Sequence, residues 1–128
     1  MFRKLGLSLF CTISLMANSS FAATTHVFSI GSGIDYELPV NEPQLFSNPF
    51  MWTIKAVCAI KSDDDDNFLS FKVTRKTGSL NGIKFSTGDS MKISLHAHEK
   101  MFITAAPGAE VELINIGTKV IRTECSIY

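Results

Sequence analysis

The sequence predicts an all-β protein, either an antiparallel β-sandwich or a small barrel, with eight or nine strands and one disulfide. Segments in which apolar and polar residues alternate recur at roughly ten-residue spacing, and clusters of Gly, Pro, Asn and Asp separate them. No window of twelve residues shows the 3.6-residue period of an amphipathic helix. Short strands at this spacing are typical of sandwiches and barrels.

Residues 1–22 have the composition of a secretory signal peptide. A basic n-region precedes an apolar stretch over 5–17, which has the length of an h-region. Small residues then stand where signal peptidase requires them, so cleavage is predicted after Ala22. The sequence therefore predicts an exported protein, periplasmic or secreted, whose mature part forms a single β domain over 23–128.

The charge of the mature chain argues against nucleic acid as a partner. Without Arg3 and Lys4, ten basic residues remain against twelve acidic ones, which is a net charge of −2. Nucleic-acid-binding domains usually carry a basic patch instead. No other segment approaches the about 20 apolar residues of a membrane span, so no membrane insertion is predicted. A protein or a surface glycan is the expected partner.

Cys58 and Cys125 are predicted to form a disulfide. Cys11 leaves with the signal peptide, so two cysteines remain in an oxidising compartment. Both fall on the apolar-facing set of their strands, and neither a CxxC motif nor an adjacent histidine indicates a reactive thiol. The chain-entropy description assigns about 4 kcal/mol to closing a loop of this length. That value is large beside a net domain stability of roughly 5–15 kcal/mol.

The segment 50–60, FMWTIKAVCAI, is predicted to be the central strand. Every second side chain is apolar, including Phe50, Trp52 and Cys58, while the intervening set is mixed and carries lysines. Alternation with period two places one set in the core and the other on a half-wetted face. We therefore expect Trp52 and Cys58 to point to the buried side.

Turn signals divide the rest of the mature chain into shorter strands. Three prolines between 39 and 49 mark a stretch that is not expected to be a central strand, because proline lacks the ladder donor. An Asn-Gly dipeptide at 81–82 suits a tight turn. The strand segments outside the central one are 25–30, 34–38, 68–75, 83–85, 91–97, 101–105, 110–116 and 120–128, and the segment 77–80 leads to the Asn-Gly turn.

The order of the tryptophan and the cysteines is similar to the immunoglobulin-like plan in part. In that plan a core tryptophan packs near a disulfide that joins the two sheets. Here Trp52 precedes the first cysteine on the same strand, and the second cysteine lies on the final strand. The general plan of the sandwich is expected from this likeness, and membership of that family is not.

The run Asp63, Asp64, Asp65 and Asp66 is the most conspicuous group of charges. Carboxylates clustered in a loop can bind Ca²⁺, which takes six to eight oxygen ligands. The run lacks the glycine and the final glutamate of an EF-hand loop, and four consecutive aspartates cannot all point inward. A solvated acidic loop that discourages edge pairing is the favoured alternative.

His96 and His98 lie two apart on a predicted strand and therefore share a face. With Glu99 or His26 they could form a zinc site, because zinc accepts imidazole nitrogen and carboxylate oxygen. The sequence places no third ligand, so a pH-sensitive patch and plain surface histidines are the other interpretations. No cofactor is expected, and a Ca²⁺- or Zn²⁺-dependent binding module is an alternative function.

No motif indicates catalysis. The sequence contains no GxSxG segment and no glycine-rich phosphate loop, and the paired carboxylates Glu110 and Glu112 are expected on a polar outer face. Because catalytic residues often lie on loops and escape sequence analysis, a small secreted hydrolase or inhibitor is a further alternative.

Phe102, Ile114 and Ile116 lie off the main apolar alternation. Apolar residues outside the core face can line a barrel interior, a dimer interface or a partner surface. These three residues are the sequence's candidates for a partner patch.

An export signal is followed by the stretch NPFMW at 48–52, which runs into Cys58, and by a closing run at 109–117 that leads to Cys125. In this combination the chain resembles small, lineage-restricted secreted β proteins of intracellular Gram-negative pathogens, some of which leave the cell by type II secretion. The resemblance carries no catalytic motif. It implies a disulfide-bonded protein that passes through the periplasm and acts on the host or the cell surface. The primary expectation is a non-enzymatic binding protein.

Overall fold

A computed structural model describes residues 23–128, and these residues form eleven strands. The predicted signal peptide, 1–22, lies outside the described residues. The prediction of eight or nine strands was too low, mainly because a short strand lies among the prolines. The strands are β1 Thr24–Val27, β2 Gly31–Leu38, β3 Gln44–Ser47, β4 Ile54–Ile60, β5 Asn67–Arg75, β6 Thr77–Leu80, β7 Ile83–Ser86, β8 Ser90–Leu95, β9 Lys100–Ala105, β10 Glu110–Asn115 and β11 Ile121–Ile127.

The strands form two sheets, which confirms the sandwich and not the barrel. Sheet A has the order β1-β3-β10-β5-β8, and sheet B has the order β2-β11-β4-β9-β6-β7. Neighbouring strands are antiparallel except for β1 and β3, which are parallel. Within residues 23–128 there is no helix long and apolar enough to cross a membrane.

The core lies between the two sheets and follows the alternation of the sequence. Every second residue of β4 and β10 is buried, and the residues between them are half-buried or exposed. Complete burial of a Leu, Ile, Phe or Met side chain contributes about 1.5–3 kcal/mol each. The largest fully buried side chains come from both sheets and include Phe71, Leu69 and Val73 of β5 and Leu38, Ile54, Ile60, Leu80 and Met101 of sheet B.

The central strand begins later than predicted, and Trp52 is not part of the core. Strand β4 is an interior strand of sheet B, as expected, but it starts at Ile54. Trp52 is 52% exposed, so the prediction that it is buried is wrong. Its backbone carbonyl accepts a hydrogen bond from the side chain of Asn48 at 2.9 Å. The segment before Ile54 is therefore folded back as a loop.

The proline-flanked strand β3 is also an interior strand, which the sequence did not predict. It lies between β1 and β10 in sheet A, and its four residues stand between Pro43 and Pro49. Neither proline has to donate to the ladder in this position. Pro43 instead uses its carbonyl, which accepts a hydrogen bond from the Thr24 amide at 3.1 Å. Proline loses only the donor and keeps the acceptor.

Cys58 and Cys125 form a disulfide, as predicted. They lie directly opposite each other on β4 and β11, with 4.0 Å between their Cα atoms. Lys55 and Tyr128 exchange both backbone hydrogen bonds, so by alternation Cys58 and Cys125 form a non-hydrogen-bonded pair, where side chains approach most closely. The bond crosses between neighbouring strands of sheet B, whereas the immunoglobulin disulfide joins two sheets.

An aromatic cluster packs β1 against β2. The His26 ring stacks on Phe46 with 4.7 Å between ring centroids, and the Tyr36 ring meets Phe46 edge-on at 5.1 Å. The Nε2 atom of His26 lies 2.8 Å from Oε1 of Gln44. Burial in this cluster raises the pKa of the Tyr36 phenol above its usual value.

Candidate binding surface

The acidic run lies in the loop between β4 and β5, and its backbone rather than its carboxylates holds the loop. The Asp64 carbonyl accepts a hydrogen bond from Nδ2 of Asn67 at 2.7 Å, and the Asp65 carbonyl lies 3.0 Å from Nδ1 of His96. The Asp64 carboxylate pairs with Lys119 at 3.2 Å. Asp63, Asp65 and Asp66 are exposed. A cleft of about 250 Å³ separates this loop from the loop at 117–119.

The two histidines do not share a strand face. Strand β8 ends at Leu95, so His96 and His98 lie in the turn to β9, and His98 has a φ of 66°. The turn is closed by Glu99, whose Oε1 accepts a hydrogen bond from the His96 amide at 2.8 Å. Within residues 23–128 no group of three or more His, Cys, Asp or Glu side chains could hold a metal ion. The described residues therefore provide no assembled site for Ca²⁺ or Zn²⁺.

The three residues of the predicted partner patch lie on different sheets. Phe102 is 53% exposed on the outer face of β9 in sheet B. Ile114 is half-buried on the outer face of β10 in sheet A, and Ile116 is exposed just beyond it. The Ile116 amide donates to the carbonyl of Phe68 at 3.0 Å. Ile114 and Ile116 are thus close to Phe68, and Phe102 stands apart from them.

Among residues 23–128, the most exposed large apolar side chain belongs to a loop that the sequence analysis assigned to the central strand. We call residues 49–53, between β3 and β4, the aromatic loop. Met51 is 90% exposed, and the rings of Phe50 and Trp52 pack with 4.7 Å between centroids. The loop therefore presents a methionine beside a pair of aromatic rings that pack at a tilt.

A buried asparagine fixes the backbone of the aromatic loop. Asn48 is 2% exposed, and its Nδ2 donates to the carbonyls of Trp52 and Ala105 at 2.9 Å and of Ala106 at 3.1 Å. Its Oδ1 accepts a hydrogen bond from the Phe50 amide at 2.8 Å. One side chain thus ties both ends of the loop to the strand β9 and the turn after it. We call this set of bonds the Asn48 clasp.

Other exposed apolar residues lie at the same end of the sandwich, which we call the apolar end. Val27 pairs with Ser47 at the end of β1, and Tyr128 pairs with Lys55 at the end of β11. Ile30 lies in the connection between β1 and β2. Met51 and Trp52 join these three, so five of the large exposed apolar residues occupy one end.

A second asparagine clasp occurs at the opposite end of the sandwich. Asn115 is fully buried, its Nδ2 donates to the carbonyls of Leu38 and Lys119 at 2.8 and 2.7 Å, and its Oδ1 accepts from the Gly117 amide. The bonds to the residues two and four positions later repeat the pattern of Asn48. This clasp holds the loop beside the acidic run.

The signal for the aromatic loop was present in the sequence. Phe50 and Trp52 fit the alternation of the following strand, which is why they were assigned to the core. Asn48 and Pro49 stand directly before them, and an Asn-Pro pair favours the start of a turn. The asparagine side chain can also bond its own backbone two residues on, which is what Asn48 does.

No protein-family model and no curated protein matches the chain. Among solved structures, the chain is similar to the pre-peptidase C-terminal domain of a collagenase from Bacillus anthracis, with a TM-score of 0.43, 9% identity, and coverage of 84% of this chain and 97% of that chain. It is also similar to a periplasmic inhibitor of g-type lysozyme from Aeromonas hydrophila, with a TM-score of 0.26, 10% identity, and coverage of 81% and 97%. Similarity at these values carries no functional argument, so function has to be argued from the surface itself.

Proposed function

We propose that this protein is an exported, non-enzymatic binding protein that holds a protein partner through the aromatic loop. The proposal depends on one observation: a single loop combines exposed apolar side chains with a backbone that is held in place by hydrogen bonds. Met51 and Trp52 project into solvent, while the Asn48 clasp holds the backbone beneath them.

Exposed apolar side chains of this size do little for folding, because folding does not remove them from water. They do contribute at interfaces, where tryptophan is among the residues most enriched at positions that dominate the binding energy. The Asn48 clasp adds to this, since a backbone that is already ordered reduces the cost of ordering the loop on binding. The aromatic loop therefore has the properties of a preformed anchor.

Export is part of the proposal, and the described strands are compatible with the predicted cleavage site. Strand β1 starts at Thr24, just beyond the cleavage predicted after Ala22, so the mature chain would keep all eleven strands. A disulfide is compatible with an oxidising compartment. The resemblance to secreted proteins of intracellular Gram-negative pathogens makes a protein of the host or of the cell surface the expected partner.

The inhibitor alternative falls within this proposal, because an inhibitor is a protein-binding protein and an ordered projecting loop is suited to filling a cleft. The hydrolase alternative has less support. Cys58 and Cys125 are joined, so residues 23–128 offer no free thiol as a nucleophile. The metal-dependent alternative lacks an assembled ligand set among these residues.

The test is affinity capture from host-cell and bacterial-surface extracts with the exported protein and a Met51→Ala/Trp52→Ala variant. We expect the variant to lose the captured protein, with a Kd weakened about 30-fold, because truncating a dominant interface residue costs about 2 kcal/mol or more. Phe68→Ala is the matched control, since Phe68 is also a half-exposed aromatic residue but lies on the outer face of sheet A. Capture that is equally strong with the loop variant, at unchanged thermal stability, would refute the proposal.

A further inference from the structure

The outer face of sheet B is divided by charge. The outward residues of β2 and β11 include the carboxylates Asp35, Glu37 and Glu124, with Arg122 as the one cation. The outward residues of β4, β9, β6 and β7 include no carboxylate and three lysines, Lys55, Lys84 and Lys100. We call this second region the basic half-face.

Four residues form a straight row across the basic half-face. Lys55 pairs with Thr104, Thr104 with Ser79, and Ser79 with Lys84. Because neighbouring strands are about 4.8 Å apart, the Cα atoms of the two lysines are about 14 Å apart, with both hydroxyls between them. The Ser79 and Thr104 hydroxyls are hydrogen bonded to each other. One of them therefore keeps an O–H that can donate to a ligand.

The charges of this row are not compensated within the described part of the chain. Ion pairs among residues 23–128 use Lys61, Arg75 and Lys119, and neither Lys55 nor Lys84 takes part in one. An unpaired cation beside one hydroxyl that can donate favours a carboxylate, because hydrogen bonds from a charged donor to a carboxylate are about twice as strong as neutral ones.

A groove of about 450 Å³ runs along the row from Thr104 to Lys84 and reaches Thr53 of the aromatic loop. Its lining includes Ser79, Thr104, Lys84 and Thr53, the last of which follows Trp52 directly. Gly78 lies in its floor, where a Cβ atom would stand 2.7 Å from the carbonyl oxygen of Thr104. The groove is therefore open and carries the hydroxyls of the row, and through Thr53 it adjoins the proposed anchor.

On its other side the groove is bordered by an apolar row. Val57 pairs with Phe102, and Phe102 is about half exposed. A ligand in the groove would thus meet the hydroxyls and Lys84, with the aromatic loop beside Thr53 at one side and the row of Phe102 at the other. This order suits an extended peptide in which an acidic residue lies between apolar ones.

We propose that the groove receives an acidic segment of the protein partner, with a carboxylate hydrogen bonded by Ser79 or Thr104 and paired with Lys84, and with Lys55 adding positive charge at the other end of the row. This inference rests on the proposed function, because it names the chemistry of the partner bound by the aromatic loop. A protein segment is favoured because the groove continues into that loop and because its apolar border matches side chains rather than a uniform polyanion.

The experiment selects random 12-residue displayed peptides on the exported protein and measures the Kd of the most enriched peptide. We expect enriched peptides to carry Asp or Glu beside apolar residues, with binding that weakens as salt is added. Lys55→Glu/Lys84→Glu should weaken the Kd at least tenfold. Lys72→Glu/Lys92→Glu makes the same charge change on the outer face of sheet A and should leave the Kd unchanged.

Four outcomes would overturn the inference. Enriched peptides could lack acidic residues, or both lysine pairs could affect the Kd equally. An oligogalacturonate, tested as an acidic saccharide, could bind more tightly than any peptide and depend on Lys55 and Lys84. Sedimentation could show a dimer that Lys55→Glu/Lys84→Glu dissociates, which would mean that a second copy covers the face. If these results occur while Met51→Ala/Trp52→Ala still abolishes capture, only this inference fails and the proposed function stands.

Discussion

Replacing Asn48 by alanine is expected to destabilise the protein by about 3 kcal/mol and to release the aromatic loop. The side chain makes four hydrogen bonds. The bond to the Ala105 carbonyl is fully buried, and an unsatisfied buried group costs about 1–3 kcal/mol. The other three are partly buried, so water can replace them in part, and each is worth about 0.5 kcal/mol or a little more.

Two measurements test this expectation. Urea unfolding of the oxidised protein gives the free energy of unfolding by linear extrapolation. Trp52 is the one tryptophan of the chain, so its fluorescence anisotropy reports directly on the order of the aromatic loop. In Asn48→Ala we expect the anisotropy of the folded protein to fall, because the Trp52 carbonyl has lost its donor.

Asn115→Ala is the matched control for this experiment. Asn115 makes the same kind of clasp at the other end of the sandwich, so its loss should destabilise the protein to a similar degree. It should leave the Trp52 anisotropy unchanged, because the apolar end stays intact. If Asn48→Ala costs less than about 1 kcal/mol, or if the two variants change the anisotropy equally, the assignment of Asn48 as the support of the loop is refuted.

Three further predictions concern the sandwich itself. Cys58→Ala/Cys125→Ala should lower the free energy of unfolding by about 4 kcal/mol, because the disulfide closes a loop with a sequence separation of 67. Urea unfolding measures this change. A loss below about 1 kcal/mol would contradict the chain-entropy account. Burial raises the pKa of Tyr36, so the folded protein favours the neutral phenol. The contribution of this neutral phenol to stability is complete below the unfolded pKa of about 10. It is lost as pH rises through the higher pKa of the folded state. Unfolding curves across that range should show this decline, and Tyr36→Phe should remove part of it. Gly78→Ala should lower the free energy of unfolding by about 1–3 kcal/mol, since the new Cβ would stand 2.7 Å from the Thr104 carbonyl oxygen. An unchanged melting temperature would instead show that β6 can shift to make room for it.

The elements that could be predicted are those whose side chains alternate without interruption. Strand β5 is buried at every second position from Asn67 to Val73, and the predicted segment 68–75 differs from it by one residue at the start. The disulfide was predictable because only two cysteines lie outside the predicted signal peptide and both fall on the core-facing set. These features depend on local pattern and on counting, which the sequence contains in full.

The candidate site was much less predictable, because it depends on contacts between distant residues. Asn48 becomes a clasp only when strand β9 brings the Ala105 carbonyl within 2.9 Å, and nothing near residue 48 announces that neighbour. The basic half-face likewise depends on the register of four strands, of which β6 and β9 are far apart in the chain. The predicted histidine pair failed for a related reason, since Glu99 closes a turn where the alternation suggested that a strand continues.

By itself, the sequence determined that this is an all-β domain with a disulfide between Cys58 and Cys125. The reason is that the alternation of apolar and polar residues and the number of cysteines can both be taken directly from the sequence. Only the tertiary structure decided that Trp52 faces solvent and that Lys55 and Lys84 stand at the two ends of one row across sheet B. The physical reason is that alternation distinguishes two faces of a strand but does not say where the strand begins or which strands become its neighbours. Those choices are made by buried hydrogen bonds such as those of Asn48 and by the register between strands.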